Sequence, residues 1–67
     1  MNNTSDLIQA TLEATLLRLQ SEDTHIEDII EEEATVVIEE MAGLPIFDDE
    51  GQELYEEIQE KVLAMAM

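Results

Sequence analysis

The segment from residue 22 to residue 60 constrains the fold most strongly, because it holds sixteen acidic residues and no basic residue. Like charges one helical turn apart repel by roughly 0.2–0.5 kcal/mol per pair. Within this segment the run IEDIIEEEATVVIEE carries seven carboxylates, and its apolar residues recur at helical spacing. A helix places the two sets on different sides, so the run predicts a helix with one acidic side and one side to bury.

The length of 67 residues limits the chain to a single domain, 1–67, near the lower edge of what folds alone. The formal net charge is −16, but 45% of the residues are apolar and fall in periodic blocks, which favours a folded chain over a disordered one. The absence of cysteine excludes disulfides and thiolate metal sites. Oligomerisation is the remaining source of extra stability for so short a chain.

Helix start and stop signals predict an all-α fold, a small three-helix bundle. Thr4 and Ser5 are candidate N-caps of the first helix, and Thr24 and Glu27 have the capping-box spacing at the start of the second. The predicted helices lie at about 5–21, 24–42 and 49–65.

The second and third helices each show one apolar stripe opposite an acidic one. Gly43 suits the position after the second helix, and Asp49 with Gln52 again has capping-box spacing. The apolar stripes consist of Ile26, Ile30, Ala34, Val37 and Met41 in the second helix and of Leu54, Ile58, Val62 and Met65 in the third. Each of these helices therefore has one face to bury.

The first helix differs, because at about 100° per residue its apolar residues fall on two nearly opposite sides. Thr11, Thr15 and Arg18 separate the two sides along one edge. We predict a homodimer, since a helix with two apolar faces needs two packing partners; the alternative is that the helix sits in the middle of its own bundle. One side consists of Ile8, Leu12, Leu16 and Leu19, and the other, the predicted self-association side, consists of Leu7, Ala10, Ala14 and Leu17.

The carboxylates lack the spacing of a metal or catalytic site. Counted from Asp48, Gly51 falls at the fourth position, whereas an EF-hand loop needs its glycine at the sixth. The single histidine, His25, has no second His or Cys to complete a zinc site. Ser5 and Ser21 lie at predicted helix ends, where capping explains them. We expect no enzymatic activity, no metal and no cofactor.

The charge and the apolar runs also bear on location and on partners. The start MNNTSD lacks the basic and apolar runs of a signal peptide, and no apolar run approaches the ~20 residues of a spanning helix. A strongly negative chain is repelled by anionic membranes and by nucleic acid. We expect a cytoplasmic protein that binds neither directly.

The acidic surface exceeds the net charge of magnitude about 2–8 that solubility asks of a small domain. Strongly basic surfaces in cells belong mostly to proteins that bind nucleic acid. We predict a non-enzymatic DNA mimic, a phage- or mobile-element-type inhibitor that engages a basic nucleic-acid-binding protein or complex. The predicted contact residues are Asp28, Glu32, Glu39, Glu50, Glu53, Glu56, Glu57 and Glu60.

A second hypothesis belongs to another class. The chain could be a small adaptor or antitoxin-like protein that docks through its apolar first helix, with the acids serving solubility. Salt dependence separates the two hypotheses, because charge-driven binding weakens steeply as salt rises.

Overall fold

The computed structural model describes residues 3–66 and shows three helices packed against one another. Helix α1 spans Thr4–Ser21, α2 spans Ile26–Glu40 and α3 spans Asp49–Ala66. The described residues contain no strand. The all-α, three-helix prediction is confirmed, with each helix end within two residues of its predicted position.

The core lies where the three helices meet, and α2 supplies most of it. Ile29 and Ile38, which the predicted α2 stripe leaves out, are fully buried. Met41 and Met65, which the predicted stripes include, are largely exposed because they lie at or beyond helix ends. Since α2 packs against two helices, its buried arc is wider than one stripe. The buried apolar residues are Leu7, Ile29, Ile30, Ala34, Val37, Ile38, Ile58 and Val62.

The helix starts differ from the predicted ones. Asn3 is the N-cap of α1, and its Oδ1 accepts a hydrogen bond from the Asp6 N–H at 2.9 Å. His25 precedes α2 without a side-chain cap, so the predicted capping box of Thr24 and Glu27 does not form. The prediction of Thr4 or Ser5 as the N-cap of α1 is therefore wrong, since both lie inside the helix. Asn caps helices as well as Ser and Thr do.

The end of α2 follows the prediction. Gly43 adopts the left-handed backbone conformation, with φ of +69°. The N–H groups of Met41 and Leu44 donate to the carbonyls of Val37 and Ile38, at 2.9 Å and 3.2 Å. These bonds satisfy carbonyls that a helix end otherwise leaves without partners.

The connection formed by residues 43–48 is pinned to the start of α3. The Asp48 N–H donates to the Pro45 carbonyl at 3.2 Å. The Gln52 side chain donates to the Ile46 carbonyl, in place of the capping box predicted with Asp49. Gly51 is buried, and a Cβ atom on it would lie 2.1 Å from the Pro45 oxygen. Only glycine therefore lets the connection approach α3 so closely.

Helix α1 turns its threonine edge toward the core, together with Leu7 from one of its apolar sides. Thr11 and Thr15 are both fully buried. The Thr11 hydroxyl donates to the Leu7 carbonyl at 2.8 Å, whereas the Thr15 hydroxyl has no hydrogen-bond partner within residues 3–66. The two apolar sides of α1 therefore flank a polar strip that faces the other helices.

Residues from both apolar sides of α1 contact the rest of the same chain. Leu7, only 2% exposed, packs in the core, and Ile8 lines a groove with Lys61 and Met65 of α3. The prediction that Leu7 contacts a second subunit is thereby corrected, because the chain's own core covers it. The homodimer stays a prediction.

Candidate protein-binding surface

The predicted contact residues all lie at the surface of α2 and α3. Helical packing buries the apolar arcs of these helices and leaves the acidic arcs outside. The exposed set comprises Asp28, Glu32, Glu39, Glu50, Glu53, Glu56, Glu57 and Glu60.

Arg18 makes all the ion pairs found within residues 3–66. Its guanidinium contacts Glu22 at 2.7 Å, Glu32 at 3.4 Å and Glu33 at 3.6 Å. The hydrogen bond from Arg18 lowers the pKa of Glu22, and the same bond raises the pKa of Arg18 above its ordinary value. Of the predicted contact residues only Glu32 has an ion pair within residues 3–66. Lys61 lies on α3 itself but forms no ion pair with the acids of the described residues.

A groove between α2 and α3 is lined by one acid and four uncharged side chains. It is lined by Glu31 and Thr35 of α2, by Ile46 of the connection, and by Gln52 and Tyr55 of α3. Partial burial, and secondly the charge of Glu31, raise the pKa of Tyr55. The Tyr55 hydroxyl therefore stays protonated at neutral pH and can donate a hydrogen bond.

Acidic residues continue the groove-lining lines on both helices. On α2, Asp28, Glu32 and Glu39 lie seven, three and four residues from Thr35, respectively. These spacings place them on the same side of the helix as Thr35. On α3, Glu56 lies one turn beyond Gln52, and Glu60 one turn beyond Glu56. We call the five residues Asp28, Glu32, Glu39, Glu56 and Glu60 the groove acids.

The other predicted α3 acids belong to a different surface. Glu50, Glu53 and Glu57 line a shallow depression with Leu44 and Leu54. The single acidic stripe expected on α3 is thus divided by the packing into one set beside the α2–α3 groove and a second set, the depression acids Glu50, Glu53 and Glu57.

Phe47 lies at the surface and is not among the predicted contact residues. Its side chain is 80% exposed, and it follows Ile46, which lines the α2–α3 groove. The helical period carries no information about a residue in a connection. The available signal was compositional, an aromatic residue directly before the acidic run Asp48, Asp49 and Glu50.

The predicted self-association residues do not form one open surface. Leu7 is buried, Ala10 and Ala14 are half-buried, and Leu17 is 67% exposed. Exposed apolar area on α1 is provided by Leu17 together with Leu16.

Within residues 3–66, no group of three or more His, Asp or Glu side chains is arranged to hold a metal ion. None of the described helices combines the length and apolar character that crossing a bilayer requires. Comparison with known proteins gave no matching family model, no matching curated protein and no matching solved structure. The chain is thus a small three-helix bundle with an acidic surface on α2 and α3.

Proposed function

We propose that this chain is a non-enzymatic inhibitor that imitates nucleic acid with its α2–α3 face and occupies the nucleic-acid site of a basic protein. The supporting observation is that the groove acids are exposed along two adjacent helices, which also supply the lining of one groove. The acid that lines this groove itself is Glu31. The proposal places this encounter in the cytoplasm and assigns the protein to antagonists of the phage or mobile-element type.

The dimensions of the two helices support the imitation. Packed helices have axes about 8–10 Å apart, between the ~6 Å and ~12 Å widths of the B-DNA grooves. Successive groove acids on one helix lie four or seven residues apart, which is roughly 6 or 10.5 Å along the helix. These distances are about two to three times the ~3.4 Å per phosphate of one DNA strand. The groove acids thus resemble a sparser pair of phosphate rows.

The electrostatics of the free protein also support the proposal. Arg18 neutralises acids at one end of the bundle, and the acids of α3 have no ion-pair partner among the described residues. Like-charge repulsion destabilises the free chain. A cationic partner relieves this repulsion on binding, and its encounter with the acidic face is steered by charge.

The test begins with capture of partners from a bacterial lysate at low salt, elution by a salt step and identification by mass spectrometry. Three variants, each lacking three charges, are then compared for binding to the purified partner. The first changes groove acids to amides, Glu39, Glu56 and Glu60 together. The second changes the depression acids Glu50, Glu53 and Glu57. The control changes Glu13, Asp23 and Glu40, which belong to neither set.

We expect the groove variant to lose at least about tenfold in affinity, mostly through slower association. The control should bind within about twofold of the wild type, and both should retain the helical circular dichroism of the wild type. Equal binding by the groove variant and the control would contradict the proposal. Loss in the depression variant alone would move the site to the other acidic surface.

The adaptor hypothesis rests on a separate observation, the exposure of Leu16 and Leu17 on α1. An adaptor that docks through this surface binds with little salt dependence and loses affinity on Leu17→Gln. The same variant tests the homodimer, which sedimentation of the wild type at high concentration would reveal as a two-chain species that Leu17→Gln dissociates.

A further inference from the structure

The connection between α2 and α3 exposes its largest apolar side chain. Leu44 and Ile46 are half-buried and pack against the core, whereas Phe47 is 80% exposed. Phe47 therefore contributes little to the chain's own core, although it is the only phenylalanine in the sequence. Its ring is available to a partner.

The backbone on both sides of Phe47 is held in place. The Asp48 N–H donates to the Pro45 carbonyl at 3.2 Å and closes a turn around Phe47. The Gln52 side chain donates to the Ile46 carbonyl, and Gly51 packs directly on the Pro45 backbone. A side chain on such a pinned turn binds with little loss of backbone freedom. Rigidly presented aromatic residues are typical of interface hot spots.

The charges around Phe47 select the kind of partner. Asp48, Asp49 and Glu50 follow it directly, and all three are exposed. A second copy of this chain seated on Phe47 would bring the same acids against one another, which is repulsive. A cationic protein surface is complementary to these acids, and an apolar pocket within it would accept the ring.

We propose that Phe47 is the apolar anchor of the α2–α3 face and that it inserts into an apolar pocket beside the cationic site of the partner. The proposal rests on the proposed function, since it names the chemistry of the same partner. It adds a contact that nucleic acid itself does not make, and so explains how an acidic decoy can compete with DNA despite carrying fewer charges per length.

The test uses two fluorescent peptides of equal length and equal arginine content. One has serine between the arginines and the other has leucine. Affinities are measured at low salt by fluorescence anisotropy for the wild type, for Phe47→Gln and for the control Met65→Gln. Met65 is also largely exposed, but it lies at the C-terminal end of α3, away from the connection that carries Phe47.

We expect the wild type and Met65→Gln to bind the leucine peptide at least about fivefold more tightly than the serine peptide, the size of a modest hot spot. Phe47→Gln should bind the two peptides equally while its affinity for the serine peptide is unchanged. A preference that survives in Phe47→Gln, or no preference in the wild type, overturns the anchor and leaves the proposed function intact. Failure of the wild type to bind the serine peptide at all counts against the proposed function itself. A dimer that Phe47→Gln dissociates would make a second copy the occupant and overturn the proposal.

Discussion

Helices α1 and α3 both contain eighteen residues, but they use their sides in opposite ways. Helix α3 buries an aliphatic stripe that includes Ile58 and Val62 and exposes unpaired acids. Helix α1 buries Thr11 and Thr15 and carries the arginine that forms the ion pairs of the described residues. Helix α3 is thus apolar on its buried side and charged on its exposed side, whereas α1 buries its polar strip. The stability of the bundle should therefore respond to mutation differently at the two helices.

The largest effect is expected at the start of α3. In an exposed helix, Gly→Ala stabilises by about 1 kcal/mol, but at Gly51 the added methyl group would lie 2.1 Å from the Pro45 oxygen. Gly51→Ala should destabilise the chain by about 3 kcal/mol or prevent folding, since overpacking typically costs 1–3 kcal/mol and backbone cannot yield as a side chain does. Urea unfolding followed by circular dichroism measures the change.

Gly43→Ala is the matched control for Gly51→Ala. No atom lies within 4 Å of a Cβ atom added at Gly43, but the φ of +69° strains any side chain. We expect a loss of about 1–2 kcal/mol, smaller than at Gly51. A stable Gly51→Ala variant would show that the connection does not pack against α3 as described.

The next effect concerns the buried threonine strip of α1 and has the opposite sign. Thr15→Val removes a fully buried hydroxyl that has no hydrogen-bond partner among the described residues, and leaving such a group unsatisfied costs about 1–3 kcal/mol. We expect Thr15→Val to stabilise the chain by about 1–2 kcal/mol. Thr11→Val, which removes a hydroxyl bonded to the Leu7 carbonyl, should change stability by less than about 1 kcal/mol. A destabilised Thr15→Val variant would contradict the orientation of α1.

A smaller effect separates the paired acids from the unpaired ones. Arg18→Gln leaves Glu22, Glu32 and Glu33 without their cation, so the melting temperature should fall, and fall further at low salt. For the wild type, added salt screens the unpaired acids of α3, and the melting temperature should rise. Differential scanning fluorimetry across a NaCl series tests both expectations. A wild-type melting temperature that falls with salt would contradict the unpaired acidic surface.

The smallest effect is the acid response of the Arg18 cluster. The pKa of Glu22 is lowered from its ordinary 4.5 by the hydrogen bond from Arg18. A depressed folded-state pKa gives stability that is present above the unfolded pKa and is lost as pH falls through the folded value. Glu22→Gln should therefore reduce the stability difference between pH 6 and pH 3 slightly. Thermal melts at both pH values compare this variant with the wild type.

The parts of the fold that follow from local chemistry could be predicted from the sequence. Gly43 ended α2 as expected, and the single stripe of α3 placed Ile58 and Val62 correctly in the core. The orientation of α1 could not be predicted, because its two apolar sides are equally wide and the edge between them is polar. The buried Thr15 shows that the neighbouring helices, and not hydropathy, set the inward direction.

The candidate site divides in the same way. Helical spacing predicted that residues such as Glu39 and Glu56 lie outside, and they do. Which residues line the same depression depends on how α3 packs with the connection, so the grouping of Glu57 with Leu44 needed the structure. The exposure of Phe47 depends on a turn held by contacts from α3, which no periodicity encodes.

Competition with DNA for the partner tests most directly whether the α2–α3 face imitates nucleic acid. A fluorescent DNA duplex is bound to the purified partner at low salt, and this chain is titrated in while anisotropy is followed. We expect the wild type to displace the duplex completely. The groove variant at Glu39, Glu56 and Glu60 should displace it at least about tenfold less effectively. A complex that holds the partner, the duplex and this chain together would contradict this imitation.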